Sequence, residues 1–285
     1  MRLPARLVET ALYVAVRPVL GPPVPLPVQR RWLELCATGS PLPAGTTVQQ
    51  TVLGGRPAER VAGAGAADAG AVLLLHGGAF VAGSPRTHRV LAAHLAAASG
   101  APVHVLDYRL APEHPWPAAV DDAVAAYDEL AATGPVVVVG DSAGGCLAAL
   151  LLRQRRPVAV ALVSPLVDLT RQTSAAWPGR DALVRADWAR AGTQAFVGGA
   201  DAPALSPLHD DLTSWPPLLV HVSEHERLRP EGEQLAERAR LAGVDVELVV
   251  LPGLWHDAHL LSHLVGEAAD ASAALGRWVG RHLRP

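Results

Sequence analysis

Lys, Asn and Ile do not occur in this chain of 285 residues, and Met, Phe, Tyr and Cys are scarce. All 24 basic residues are therefore Arg, a pattern that reads as coding bias in G+C-rich DNA rather than as function. With 27 acidic residues the formal charge is −3, which excludes an electrostatic case for nucleic acid or an anionic membrane as partner. Two cysteines, Cys36 and Cys146, cannot supply a disulfide framework. Both read as structural, and a reducing, cytoplasmic setting is expected. Long apolar runs are missing too. Ala11–Leu20 is interrupted by Arg17 and Pro18, well short of the ~20 residues a spanning helix needs. No A-x-A cleavage signal follows it. An amphipathic cap helix is expected there instead of an integral membrane segment.

What is present is a large apolar fraction, 50% of the chain, enough for one substantial core. There is no internal repeat. Residues 1–50 are distinct: a helical start, a Pro-rich stretch at Gly21–Pro27, a short helix near Arg30–Ala37, and a second Pro-rich turn. They are expected to form an N-terminal cap segment, with 51–285 as one structural unit. Residues 48–53 and 56–61 read as edge strands, and Ala62–Gly70 as a flexible turn on composition. From Ala71 onward, short apolar strands alternate with helices. Strands are expected at 71–75, 102–107, 136–139, 159–164, 218–223 and 246–251. Helices are expected at 90–99, 116–131, 143–153, 231–241 and 267–282. The predicted class is α/β, with a mostly parallel central sheet covered by helices on both faces. The run Val136–Val139 has no polar alternation, as a strand buried on both faces requires. Such sheets place ligands at the carboxyl ends of their strands.

Directly after that run comes Gly140-Asp141-Ser142-Ala143-Gly144 and then a helix. This is G-x-S-x-G in its strand–turn–helix context, which makes Ser142 the candidate nucleophile. The helix starting there points N–H groups at developing negative charge. Upstream, the strand Ala71–Leu75 runs into His76-Gly77-Gly78-Ala79-Phe80. Glycines there let the main chain approach a reacting carbonyl, so Gly77, Gly78 and Ala79, with Ala143, are the expected oxyanion hole. His76 is read as a loop anchor and Asp141 as a structural hydrogen-bonding group.

These blocks, with Asp107–Asp122 (DYRLAPEHPWPAAVDD) between them, resemble the hormone-sensitive-lipase-type group of esterases and lipases. Weaker similarity continues through Ser164–Leu169, Ser206–Leu212 and Pro216–Val220, so the resemblance covers about residues 70–280. It implies an α/β-hydrolase fold, carboxylester hydrolysis, no cofactor or metal, and a small-molecule ester as partner. Homodimerisation is left open.

In this fold the chain order is Ser, acid, His. His256 follows the last strand, and Gly253 three residues earlier matches the family pattern. His259 is its rival, while His263 and His282 read as solvated helix residues. For the acid, the family places Asp or Glu two residues before a Leu, which fits Glu226 and Leu228. Pro230 and Ser223 depart from that pattern. Glu224 and Asp168 remain alternatives, and Glu231 reads as a solvated acid in a first helical turn. Asp107, Arg109 and Glu113 are expected to brace the turn below the oxyanion loop. Leu12, Val16, Leu20, Trp32 and Leu35 are candidate lid residues, and Phe80 and the stretch Trp177–Trp188 candidate walls of an acyl pocket. The expected function is cleavage of short-to-medium acyl esters. An amidase or lactonase with the same residues, or a non-catalytic ligand-binding protein on this fold, are the alternatives.

Overall fold

The computed structural model describes residues 2–66, 70–175 and 177–284, so the tip of the turn expected at Ala62–Gly70 lies outside the described residues. Eight strands form one sheet: β1 (Thr47–Leu53), β2 (Arg56–Ala62), β3 (Ala71–Leu75), β4 (Val103–Leu106), β5 (Val136–Asp141), β6 (Ala159–Val163), β7 (Leu218–His225) and β8 (Val246–Trp255). Their order is β1-β2-β4-β3-β5-β6-β7-β8. The pairs β1–β2 and β2–β4 are antiparallel, and the rest are parallel. Only β1 of the two expected edge strands is an edge. β2 is internal because its inner rim pairs with β4.

Helices follow from the same alternation. They are α1 (Ala5–Ala11), α2 (Leu26–Ala37), α3 (Arg89–Ser99), α4 (Ala118–Ala131), α5 (Ala143–Leu151), α6 (Gln172–Ala175), α7 (Ala186–Val197), α8 (Ala202–Leu205), α9 (Arg229–Leu241) and α10 (Gly266–Leu283). β3 and β5 are buried along their whole length, and successive residues feed opposite layers. Leu73, Leu75 and Val138 pack with α4, α5 and α9; Val72, Leu74, Val137 and Val139 pack with α3 and α10. This two-sided burial is why these strands carry no polar alternation. Each such side chain contributes about 1.5–3 kcal/mol on leaving water.

α1 continues through one wide turn at Leu12–Val16 and a tight turn at Arg17–Val19. No helix among the described residues is long and apolar enough to cross a membrane. α6, α7 and α8 fill the connection between β6 and β7, which the sequence pattern had not marked as helical. The amphipathic spacing in α7 is set by its docking on the N-terminal segment, where Trp188 covers Gly21.

The chain passes from β3 to β4 on one side and then crosses to β5 on the other side of β3. That reversal opens a crevice above the carboxyl ends of β3 and β5. The first turn of α5 presses on the end of β3 there. A Cβ at Gly144 would lie 1.9 Å from the Leu75 carbonyl oxygen, whereas one at Gly134 would meet nothing closer than 3.9 Å. Gly144→Ala is therefore expected to cost about 3 kcal/mol by overpacking, and Gly134→Ala less than about 0.5 kcal/mol. Urea unfolding of the two variants measures the difference.

Candidate active site

Ser142 tops the crevice. Its backbone has φ +51° and ψ −116°, a conformation that costs a non-glycine residue about 1–3 kcal/mol. Neighbouring main chain holds it there. The Ser142 N–H donates to the Val163 carbonyl at 2.9 Å, and its carbonyl accepts from Gly145 and Leu166 at 3.0 Å. The turn thus lifts the hydroxyl out of the sheet at the N-terminus of α5, where the first amide groups are unpaired and carry partial positive charge.

β7 and β8 deliver two more side chains to the same crest. His256 Nε2 lies 3.0 Å from Ser142 Oγ, and His256 Nδ1 lies 3.0 Å from Glu226 Oε2. The second carboxylate oxygen of Glu226 accepts the Ser223 N–H at 2.8 Å. Glu226 and His256 are buried. Burial would push the His256 imidazole down, but the carboxylates of Asp257 and Glu226 hold it well above the ordinary value of 6.5.

The other acids and histidines go elsewhere. Glu224 is exposed and accepts the Gly253 N–H at 2.7 Å. Asp168 folds back on its own turn, accepting from the amides of Thr170 and Thr173. Glu231 is not solvated. It is fully buried, accepts the Val167 and Asp168 amides at 2.9 and 3.0 Å, and pairs with Arg171 at 2.8 Å. His259 Nε2 meets His221 Nδ1 at 3.1 Å, away from Ser142. His263 lies in a turn, and His282 is on α10 against Trp278.

The loop after β3 faces Ser142 across the crevice. Of its amides, that of Gly77 is already committed: it donates to Asp141 Oδ2 at 2.9 Å. Gly77 is thus corrected from oxyanion donor to anchor, because a buried carboxylate claims its N–H. The amides of Gly78, Ala79 and Ala143 have no acceptor among the described residues. Gly78 sits at φ +125°, and a Cβ there would strike the Ala82 carbonyl oxygen. Asp141 Oδ2 also meets His88 Nε2 at 2.9 Å. Burial opposes the charge on His88, but the Asp141 carboxylate keeps its value raised. His76 stacks on Tyr108 and contacts the Gly77 carbonyl, while the Tyr108 hydroxyl donates to the His76 carbonyl at 2.6 Å. Below, Arg109 grips Asp122 and Glu113 pairs with Arg30 of α2.

A cavity of about 340 Å³ opens on Ser142 and His256. Its apolar wall includes Leu12, Val16, Leu20, Leu33, Leu183 and Trp188. Trp32 and Leu35 do not line it: α2 borders the cavity through Leu33, Cys36 and Ala37, and Leu35 is exposed. Phe80 is buried against Phe196 in the core, and Trp177 lies beneath Arg227.

Sequence reasoning missed His88 and Asp257. No local motif marks His88; it becomes relevant only because the segment before α3 passes under Asp141. Removing Asp141 leaves that imidazolium and the Gly77 amide unpartnered. Asp141→Ala is expected to lose about 3 kcal/mol or more near pH 6. Because the folded His88 value is raised, this stabilisation is complete below the ordinary histidine value and fades as pH rises through the folded one. Urea unfolding of both proteins at pH 6 and pH 9 should show the deficit shrinking at the higher pH.

Comparison with known proteins places the chain in a family. A family profile of the alpha/beta hydrolase fold matches residues 72–260. The chain is 36% identical over 226 residues to an acetyl-hydrolase of Streptomyces hygroscopicus, covering 74% of this chain and 76% of the relative. It is 34% identical over 267 residues to the esterase LipU of Mycobacterium tuberculosis, covering 84% and 88%. Among solved structures, a hormone-sensitive lipase from a metagenome library superposes with a TM-score of 0.92 at 36% identity, over 100% of both chains. By its family match, its relatives and this superposition, the chain belongs to the hormone-sensitive-lipase group of alpha/beta-hydrolase-fold esterases.

Proposed function

We propose that this enzyme hydrolyses carboxylic esters of short-to-medium acyl chains through an acyl-enzyme, with Ser142 as nucleophile, His256 as base and Glu226 as the orienting acid. The observation that carries the reading is the unbroken run of contacts from Glu226 through His256 to Ser142, each 3.0 Å. Neutral His256 takes the Ser142 proton as Oγ attacks the ester carbonyl. The negative oxygen is held by the amides of Gly78, Ala79 and Ala143, which are uncommitted and fixed in place beforehand. His256, now protonated at Nε2, gives that proton to the departing alcohol. Water then enters and attacks the acyl carbonyl as His256 takes its proton; His256 returns that proton to Ser142 Oγ as the acyl–Oγ bond breaks and the acid leaves. Glu226 accepts the Nδ1–H throughout; it fixes that tautomer and stabilises the imidazolium. No cofactor enters these steps.

Substrate range follows from the cavity. Its volume and apolar wall suit a small ester with a short or medium hydrocarbon chain. Residues 1–50 act as the lid in this reading, jointly with α7. A cytoplasmic location belongs to the same reading, supported by two unpaired cysteines.

Short p-nitrophenyl esters test the assignment. Ser142→Ala is expected to lose about 10⁵-fold in kcat; retained turnover would remove the serine from its role. Glu226→Gln should lose about 10³–10⁴-fold in kcat, and Glu224→Gln no more than about threefold. A larger loss in the Glu224 variant would reverse the choice of acid.

A further inference from the structure

One buried carboxylate at the crest has no part in the steps above. Asp257 follows His256, and its backbone is held at φ +53°, left-handed for a residue with a Cβ. That turn points the side chain back at its neighbour instead of away from it. Asp257 Oδ2 lies 3.0 Å from His256 Nε2, the same nitrogen that faces Ser142 Oγ. The residue is 6% exposed, and its other oxygen, Oδ1, is buried without a partner among the described residues. Asp257, His256 and Ser142 all border the cavity.

Nε2 has room for one proton. In the resting enzyme that nitrogen must be bare, with its lone pair toward the serine, before it can act as a base. A carboxylate 3 Å away opposes this state. Its charge repels the lone pair and attracts an N–H, so Asp257 and Ser142 compete for the same atom. We propose that Asp257 is a positioning residue that retains a proton on His256 Nε2, so that ester turnover begins only at alkaline pH, once this shared proton has left. The proposal rests on the assignment of His256 as base.

The surrounding charges are few and identifiable. Glu226, at the end of β7, faces Nδ1 and also favours the imidazolium. Asp141, at the end of β5, faces Asp257 electrostatically but is engaged by Gly77 and His88. His88, ahead of α3, senses Asp257 in turn. Arg86 and Arg89 border the cavity, where Arg86 pairs with Glu34 and Arg89 with Glu59. The titration directions match the geometry. Burial raises Asp257 to about 6 against the pull of His256, while His256 sits well above its ordinary value. With Asp257 ionised and His256 still protonated, the pair is intact and the base is blocked.

The test is the pH dependence of kcat/KM on a short p-nitrophenyl ester, read at the isosbestic wavelength. The wild-type acidic limb is expected about one pH unit or more above the ordinary histidine value of ~6.5. Asp257→Asn, which keeps the shape and removes the charge, should move that limb down by about one unit or more, with the alkaline plateau changed less than the limb. Asp257→Ala should move it in the same direction. A limb at or below ~6.5 in the wild type overturns the proposal, as does an unmoved limb in both variants. A purely structural role for Asp257 would lower the rate at every pH alike. Titration of the His256 ring by NMR in the Ser142→Ala protein gives the value without turnover, and a value at or below ~6.5 also overturns the proposal. Failure of the serine assignment is distinct from these outcomes, since it is read from retained turnover in Ser142→Ala itself.

Discussion

The buried carboxylate of Asp141 is the constraint around which the crest is assembled. It ends β5, has no exposure to solvent, and must find partners where it lies. It finds the Gly77 amide on the neighbouring strand's loop and the imidazole of His88 from beneath. One side chain therefore ties together the two loops that meet at the reversal in strand order. With Gly77 pinned, Gly78 and Ala79 are carried to the rim of the crevice at positive φ. Ser142, next in the chain, faces the opposite way. The strain in its backbone is tolerable because the turn is overdetermined by Val163, Gly145 and Leu166.

The buried histidines show how a common environment yields different charge states. Burial lowers His76 to about 3 and His221 to about 4, and it takes His259 well below its ordinary value. Among the described residues none of these rings hydrogen-bonds a carboxylate, so desolvation prevails. His88 and His256 are buried as deeply, yet both are raised because a carboxylate oxygen stands 2.9–3.0 Å from a ring nitrogen. Sequence position says nothing of this. Charge is decided by a contact distance, and burial magnifies its effect.

The N-terminal segment joins this assembly by specific links. Arg30 of α2 reaches the Val81 and Ala111 carbonyls and forks onto both oxygens of Glu113. That pairing holds Glu113 at about 2, through its hydrogen bonds to Arg30. Gln29, buried beneath the Pro-rich turn, accepts the Gly21 amide and donates to Val24. Gly21 in turn packs under Trp188. The cavity wall is thereby attached to the same segment that carries the Gly78 rim.

Much of this was legible without coordinates. The alternation of apolar strands and helices is a local property of the chain, and burial on both faces leaves it no room for polar residues. Ser142 was legible because its strand, turn and helix are contiguous, and His256 because it closes the last strand. Glu226 and Glu224 are two residues apart, yet one is buried on the imidazole and the other is exposed. That outcome depends on the end of β7 where the register against β8 shifts. The Gly77 amide and the partnership of Asp257 with Nε2 have the same origin. Each depends on which groups distant or adjacent in sequence are brought within 3–4 Å in space, and packing against water alone sets that. Local order and the place of Ser142 at its turn were written in the sequence; which carboxylates meet His256 and which amides stay free were decided by tertiary contact, because hydrogen bonds and charges act only over a few ångströms.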